Sequence, residues 1–281
     1  MIIDGKKIAS QISAELKKEV IENNLKLNLA IVLASDNVGL KKFVNLKAKA
    51  AQDIGIGSSI HEFPESISTE ELIKKVKEIV TDDMNDGVIV ELPLPKHIDT
   101  QSVLNEITIK KDVDVLSQSA QDIFFGGQFD VLPPAVEAVK TVLEFHQIDF
   151  KNKKVAVFGQ GLLVGQPVAF WLEKMGAEVS RIDEFTAHPE NYSQKADIVI
   201  SGVGKPEFIT GDMIKNGATI IDFGYENKEG TMKGDFDFNS VSKKAGLITP
   251  VPRGIGPIVV VSVLKNLLEL NPAHNEHMSL V

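Results

Sequence analysis

Short apolar runs alternate along this chain with stretches in which apolar residues recur every three or four positions. The runs have the length of β-strands, and the stretches between them have the period of amphipathic helices. Continuous apolar strands that alternate with helices are typical of a parallel sheet covered on both faces. The predicted strands are residues 27–34, 88–92, 155–159, 177–182, 197–202 and 219–224. The predicted helices are residues 40–54, 69–80, 135–146, 166–175 and 258–270.

The order of these elements predicts an α/β protein of two domains, both with mainly parallel sheets. Residues 1–140 are predicted to form a catalytic domain. Residues 141–257 are predicted to form a Rossmann-like dinucleotide-binding domain, because they contain a βαβ run. A chain of 281 residues is long enough for two hydrophobic cores. We expect the C-terminal helix, within residues 258–281, to pack on the first domain and the polar tail 272–281 to be frayed.

Composition narrows the classes of function. The 30 lysines and arginines against 39 acidic residues give a net charge of −9, which argues against a nucleic-acid binder. The chain has no cysteine, and its six histidines show no metal-ligand spacing. No apolar run reaches the ~18 residues of a membrane span, and the N-terminus lacks a signal-peptide pattern. We expect a cytoplasmic protein that binds no nucleic acid, membrane or metal.

A glycine-rich turn follows the predicted strand 155–159. Gly159, Gly161 and Gly165 stand between this strand and a helix, in the spacing GxGxxxG rather than GxGxxG. Glycines there let backbone N–H groups approach a pyrophosphate at the helix N-terminus. Such glycines also occur in ordinary turns, but the strand before them and the helix after them favour a dinucleotide site.

Two acidic residues, Asp183 and Glu184, follow the next predicted strand, about 20 residues beyond the glycines. An acidic side chain at this point can accept hydrogen bonds from the adenosine ribose and would repel a 2′-phosphate. The alternative is that both are ordinary loop carboxylates. Residues 201–204 and 222–225 also follow strands and could line the same cleft.

One lysine, Lys47, lies on the apolar stripe of the predicted helix 40–54. A lysine in that place can simply extend past apolar neighbours, but partial burial also makes it a good proton-transfer group. Glu91 ends a predicted strand, where parallel sheets bind their ligands. Asp112 and Asp114 lie in the short segment KKDVDV. Each residue alone is more often structural, but together they predict a cleft with one base-like lysine and several carboxylates.

These motifs resemble, in order and spacing, the bifunctional methylenetetrahydrofolate dehydrogenase/cyclohydrolase family. The family's segments YVxxKxK, QLPLP, KDVDG, PCTP, GRSxxVGxP and PVPGGVGPMT read here FVNLKAK, ELPLP, KDVDV, VLPP, GQGLLVGQP and PVPRGIGPIV. The resemblance runs from the N-terminal IIDGKKIA to the last helix. It implies oxidation of 5,10-methylenetetrahydrofolate with NAD or NADP and hydrolysis of the methenyl product to 10-formyltetrahydrofolate. It also implies a folate substrate and a homodimer.

The resemblance gives roles to individual residues. Lys47 matches the lysine that transfers protons during hydrolysis, Asp114 matches the aspartate that binds the pterin ring, and Glu91 completes the predicted catalytic set. The predicted substrate-binding residues are Phe43, Leu92, Pro93, Asp112, Pro252, Gly254 and Pro257, of which the last three belong to a loop that closes over the nicotinamide. The predicted cofactor-binding residues are Gly159, Gln160, Gly161, Val164, Gly165, Asp183, Glu184, Val203 and Tyr225.

Several positions depart from the family pattern. Phe43 stands where the family has tyrosine, Glu91 where it has glutamine, Leu40 where it has serine and Val115 where it has glycine. Gln160 and Gly161 replace an Arg-Ser pair, Arg253 replaces a glycine, and Val259 replaces a threonine. Loss of the arginine, together with two acids at the ribose end, favours NAD over NADP, which is the family default. The absence of a tyrosine hydroxyl at Phe43 and of a glutamine amide at Glu91 predicts weakened hydrolysis of the methenyl compound. Two alternatives remain: a dehydrogenase for a different small substrate, and a nucleotide-binding homologue without catalysis.

Overall fold

The computed structural model describes residues 1–228 and 231–271, and the predicted tail 272–281 lies outside them. The described residues form ten helices and ten strands. The helices are α1 (Gly5–Glu22), α2 (Val38–Asp53), α3 (Thr69–Thr81), α4 (Thr100–Leu104), α5 (Gln118–Phe125), α6 (Pro134–Phe145), α7 (Gly165–Lys174), α8 (Glu190–Ser193), α9 (Phe238–Val241) and α10 (Ile255–Glu269). The strands are β1 (Asn28–Leu33), β2 (Gly57–Glu62), β3 (Gly87–Val90), β4 (Lys154–Phe158), β5 (Glu178–Ile182), β6 (Ile198–Ser201), β7 (Thr219–Asp222), β8 (Glu226–Lys228), β9 (Thr231–Lys233) and β10 (Leu247–Ile248).

The chain divides into two compact units, and both are discontinuous in sequence. The three-stranded unit contains Gln11–Pro134 and the chain from Val260 onward, and the five-stranded unit contains Met1–Ser10 and Ala135–Val259. The first residues belong to the five-stranded unit because the Ile3 amide donates to the Ile248 carbonyl at 2.8 Å. The predicted first domain, residues 1–140, included residues 1–10, which belong to the five-stranded unit here. The predicted domain boundary at residue 140 stays a prediction.

The three-stranded unit contains a parallel sheet in the order β2-β1-β3. Ile31 in the central strand lies opposite Ile60 on one side and Ile89 on the other. The core joins apolar residues of β1 and α2 with Leu264 and Leu267 of α10. The sequence did not predict β2, because this edge strand is largely polar and half-exposed.

The five-stranded unit contains an entirely parallel sheet in the order β10-β7-β6-β4-β5. Phe158 at the end of β4 pairs with Ile182 of β5 and with Ser201 of β6, and Ser201 pairs with Asp222 of β7. The loops that follow these four strands therefore leave the same edge of the sheet. Ligands of open parallel sheets bind at this edge.

Several element ends differ from the prediction. Glu91, Gly159 and Gly202 follow their strands rather than ending them. Helix α10 begins at Ile255, so Pro257 lies in its first turn and not in the preceding loop. Proline is tolerated there because the first-turn amides have no partner within a helix. Among the described residues, no helix is both long and apolar enough to cross a membrane.

Candidate functional site

Lys47 and Glu91, predicted from different elements, meet in the three-stranded unit. Helix α2 starts behind Asn37, whose side chain accepts from the amides of Gly39 and Leu40. Lys47 lies in its third turn, and its Nζ donates to Glu91 Oε2 at 2.7 Å. The two side chains are only 14% and 8% exposed. The Glu91 amide continues the sheet by donating to the Val32 carbonyl at 2.9 Å, so the backbone fixes the position of this carboxylate.

The charges around Lys47 favour its ammonium form. Burial lowers the pKa of Lys47, but the negative charges of Glu91 and Asp114 raise it, and the pKa lies above the ordinary value of a lysine. Burial raises the pKa of Asp114 to about 6, against the opposing effect of Lys47 and with a further contribution from Glu91 and Asp112. The cluster thus places the carboxyl groups of Glu91 and Asp114 next to the Lys47 ammonium.

The loop that carries Asp114 is braced by two buried polar side chains. The Asp112 carboxylate is 1% exposed and accepts from the amides of Leu116 at 3.0 Å and Ser117 at 2.7 Å. Asn266 of α10 donates through its Nδ2 to the carbonyls of Val113 and Leu132, both at 2.8 Å. The hydrogen bonds of Asp112 are those of a structural brace, although we predicted that it binds substrate. Asn266 was not predicted as a site residue. Its one visible feature in the sequence is that it is a polar residue inside an apolar helix.

The other predicted substrate residues of this unit flank the ion pair. Phe43 is half-buried, one helical turn before Lys47, and Leu92 and Pro93 directly follow Glu91. Val115 has a φ of +58°, a backbone conformation that suits glycine better than a β-branched residue. Glycine, which ends the family segment KDVDG quoted above, adopts this conformation without strain.

Three predicted residues of the nicotinamide loop lie near the start of α10. Pro252 is exposed, Gly254 is buried, and Pro257 is half-buried in the first turn. A Cβ on Gly254 would overlap the Pro250 carbonyl oxygen, and one on Gly5 would overlap the Gly254 carbonyl oxygen. The loop is therefore packed tightly enough that only glycine fits at residue 254.

The glycine turn has the geometry of a dinucleotide cradle. It links β4 to α7, and Gly159 has a φ of +82°. A Cβ on Gly165 would overlap the Gly159 carbonyl oxygen, so only glycine fits there. A Cβ on Gly161 would meet nothing within 4 Å, so the turn is open at this point. A strand, a tight turn and a helix N-terminus with open space at Gly161 fit the pyrophosphate of a dinucleotide.

The polar side chains that were predicted to bind the cofactor beside this turn are uncharged or acidic. Gln160 Nε2 donates to the carbonyls of Val157 at 3.1 Å and Gly159 at 3.0 Å, so its side chain folds back on the strand end. The Gly159 amide donates to the Ile182 carbonyl at 2.8 Å, which brings the end of β5 next to the turn. Asp183 follows, and hydrogen bonds from Thr186 and Phe185 lower the pKa of its carboxyl group. Glu184 is exposed beside it.

The two remaining predicted cofactor residues occupy neighbouring loops. Val203 follows β6, and its amide donates to Asp235 Oδ2 at 2.9 Å. Tyr225 follows β7 and is 42% exposed. Asp235 was not predicted as a site residue, because it follows no predicted strand. Its one visible feature in the sequence is its place after Gly234 in the acidic segment GDFD.

Comparison with known proteins agrees with this arrangement. Residues 3–114 match the family model "Tetrahydrofolate dehydrogenase/cyclohydrolase, catalytic domain", and residues 133–275 match its "NAD(P)-binding domain". The bifunctional protein FolD of Nautilia profundicola is 40% identical over 272 residues, which cover 95% of this chain and 96% of that protein.

Two solved structures extend the comparison. The bifunctional FolD dehydrogenase/cyclohydrolase of Campylobacter jejuni superposes with a TM-score of 0.92 at 33% identity, over 98% of this chain and 99% of that one. The Trypanosoma brucei enzyme, solved with NADP cofactor and an inhibitor, gives 0.92 at 29% identity, over 99% and 98%. The motif series, the fold and these matches agree, and the chain belongs to the tetrahydrofolate dehydrogenase/cyclohydrolase family.

Proposed function

We propose that this protein oxidises 5,10-methylenetetrahydrofolate to the methenyl compound with NAD or NADP and hydrolyses that product to 10-formyltetrahydrofolate. The observation that carries the proposal is the largely buried Lys47–Glu91 ion pair in a chain whose two parts match both domain models of the family. The two solved structures described above are named for both folate activities. The two alternatives, a different small substrate and a homologue without catalysis, gain no support from them.

Lys47 is proposed to move protons in the hydrolysis. Attack of water on the methenyl carbon requires a group that takes a proton from the water, and a neutral amine can do so. Glu91 and Asp114 hold this amine in its charged form, which can donate a proton but cannot accept one. Hydrolysis is therefore expected to be the weaker activity of this protein.

The same carboxylates suit the oxidation. Hydride transfer depends chiefly on the positioning of the two reacting carbons. When bound, the nicotinamide supplies the hydride acceptor. The methenyl product is a cation, and the cluster holds two carboxyl groups, those of Glu91 and Asp114, for the one amine of Lys47. Fixed negative charge stabilises a cation that develops in a poorly solvated site.

NAD is proposed as the preferred cofactor. Gln160 folds back on the strand end, and the charges that follow β5 are the negative charges of Asp183 and Glu184. An ionised carboxylate there would repel a 2′-phosphate and can accept hydrogen bonds from ribose hydroxyls.

The direct test is an assay of the purified protein with 5,10-methylenetetrahydrofolate and each nicotinamide cofactor. Formation of the methenyl product is followed by its absorbance, and its loss in a cofactor-free reaction measures hydrolysis. We expect turnover with NAD, less with NADP, and slow hydrolysis. The proposal fails if neither cofactor supports oxidation.

The resemblance also supports a homodimer and a cytoplasmic location, which we propose with it. Light scattering on the purified protein measures its mass against the 30.7 kDa of one chain. Fractionation of cells that carry a tagged copy tests the location. A monomer, or recovery with the membrane fraction, would contradict these two proposals.

A further inference from the structure

Two buried carboxylates stand behind the glycine turn in the five-stranded unit. Asp222 ends β7 and is 4% exposed, and Asp235 follows the β8–β9 hairpin and is 1% exposed. The Asp235 carboxylate accepts three hydrogen bonds from one loop: from Ser201 Oγ at 2.7 Å, from the Val203 amide at 2.9 Å and from the Lys205 amide at 2.9 Å. One side chain thereby fixes the shape of residues 201–205.

Asp222 holds Asp235 in place. Its Oδ1 accepts from the amides of Gly224 at 2.8 Å and Asp235 at 3.0 Å, and its Oδ2 accepts from the Phe236 amide at 3.2 Å. A Cβ on Gly234 would overlap Asp222 Oδ2, so the chain is closely packed where it turns towards Asp235. The two acids form one network, in which Asp222 fixes the backbone that carries Asp235.

Residues 201–205 in turn lie against the glycine turn. A Cβ on Gly159 would lie 3.0 Å from both the Gly202 carbonyl oxygen and Val203 Cγ1. A Cβ on Gly202 would lie 3.0 Å from Val164 Cβ. The loop therefore packs against the turn with no room for a side chain at residue 159 or 202. A change in the shape of the loop therefore changes the surface beside the cradle.

Burial of these acids is costly. The hydrogen-bond partners that the described residues give the two carboxylates are backbone amides and one serine hydroxyl, rather than cations. Burial of a carboxyl group without a paired cation destabilises a fold, and a shift in pKa reduces that cost. Burial accordingly raises the pKa of Asp235, and raises that of Asp222 to about 7. A feature that costs stability and shapes a loop beside a ligand cradle points to a role in binding.

We propose that Asp235, held by Asp222, is a positioning residue for the dinucleotide site: it keeps residues 201–205 in the shape that binds the cofactor against the glycine turn. This inference rests on the proposed use of NAD or NADP.

The test is the Asp235→Asn variant, which keeps the side-chain volume but offers one acceptor oxygen where the carboxylate offers two. We expect its Kd for NAD, measured by calorimetry, to rise at least tenfold. The KM for NAD should rise similarly, while kcat at saturating NAD stays within about threefold. A role limited to stability would lower the melting temperature without this division between KM and kcat.

Asp197→Asn is the matched control. Asp197 precedes β6 at the opposite edge of the same sheet, and its carboxylate accepts from the Lys154 amide at 3.1 Å and from Lys215 Nζ at 2.6 Å. Its Kd for NAD should stay within twofold of the wild-type value, even if its melting temperature falls.

Ser201→Ala decides the question if Asp235→Asn does not fold, because it removes only the hydroxyl donor to Asp235. We expect its Kd for NAD to rise about threefold or more. The inference is overturned by a folded Asp235→Asn variant with wild-type affinity, by a Ser201→Ala variant with wild-type affinity, or by an equal loss in Asp197→Asn. If the wild-type protein binds neither NAD nor NADP, the proposed function itself is wrong, and the inference fails with it.

Discussion

Replacing Glu91 by glutamine should raise the hydrolytic activity, because it removes the charge that holds Lys47 protonated. The Lys47 Nζ–Glu91 Oε2 distance is 2.7 Å, and Coulomb's law at an effective dielectric constant of about 20 gives roughly 6 kcal/mol for their attraction. Burial and solvent response oppose this attraction, so only part of it acts on the pKa of Lys47. Removing the charge of Glu91 lowers that pKa, and the neutral fraction of the amine rises about tenfold for each ~1.4 kcal/mol of net attraction that is lost.

The double variant Phe43→Tyr with Glu91→Gln tests the complete argument, since the phenol hydroxyl can also hydrogen-bond the lysine or the attacked centre. We expect hydrolysis of methenyltetrahydrofolate to rise at least about 10²-fold, the typical contribution of acid–base assistance. Loss of the methenyl absorbance measures the rate in the absence of cofactor. The single variant Phe43→Tyr is the control, because it leaves the charge of Glu91 unchanged.

The two variants that carry Glu91→Gln should oxidise the substrate more slowly, since Glu91 no longer contributes negative charge next to the methenyl cation. The reasoning is refuted if the wild-type protein hydrolyses the methenyl compound as fast as it forms it. It is equally refuted if the double variant, folded and able to bind NAD, hydrolyses no faster than wild type.

Three further predictions follow from the same contacts. Lys47→Met should bind NAD as wild type does but lose methenyl hydrolysis, because methionine fills a similar volume without a titrating group. It should also unfold at a lower denaturant concentration, because the buried Glu91 loses its paired cation; a folded variant that retains hydrolysis would contradict the role of Lys47. Calorimetric titration should give a lower Kd for NAD than for NADP, with each 1.4 kcal/mol of repulsion from Asp183 and Glu184 equal to about tenfold, and tighter NADP binding would reverse the assignment. The pKa of Asp222 lies at about 7 in the folded protein, above its unfolded value, so the folded state binds more protons in between. Its contribution to stability is then fully present below about pH 4 and is lost as the pH rises through 7, by up to about 4 kcal/mol. Denaturant unfolding from pH 4.5 to 8 should show this slope in wild type and a smaller slope in Asp222→Asn, and equal slopes would refute it.

The sequence predicted the buried parts of the fold better than its edges. Strands β1, β4, β6 and β7 are buried along nearly all of their length, so most of their side chains are apolar and form runs that the sequence shows directly. Strand β2 pairs with one neighbour only, and its half-exposed side chains leave no apolar run to detect. Where a strand ends depends on its last hydrogen bond to another strand, which no local pattern records.

The sequence likewise predicted some residues of the candidate site and missed others. Lys47 was identifiable because a cation on an apolar helical stripe is a local anomaly, and Glu91 because it follows an apolar strand. Asp235 and Asn266 were missed because their partners are backbone groups and a hydroxyl that are distant in sequence, at Ser201, Val113 and Leu132. A hydrogen bond to a carbonyl or amide places no demand on the identity of the partner residue, so the sequence carries no trace of it.

The chain passes between its two compact units three times: inside helix α1, after the first residue of α6 and inside helix α10. No single cut can therefore release either unit whole. A fragment of residues 135–259 would lack Ile3, whose amide completes the edge of the sheet at Ile248. A fragment of residues 11–134 would lack Leu264 and Leu267, which belong to the same hydrophobic core as β1 and α2. Exchange of one unit between relatives would have to transfer an internal segment together with a chain terminus. The three-stranded unit and the five-stranded unit are thus expected to be inherited together, and to unfold together.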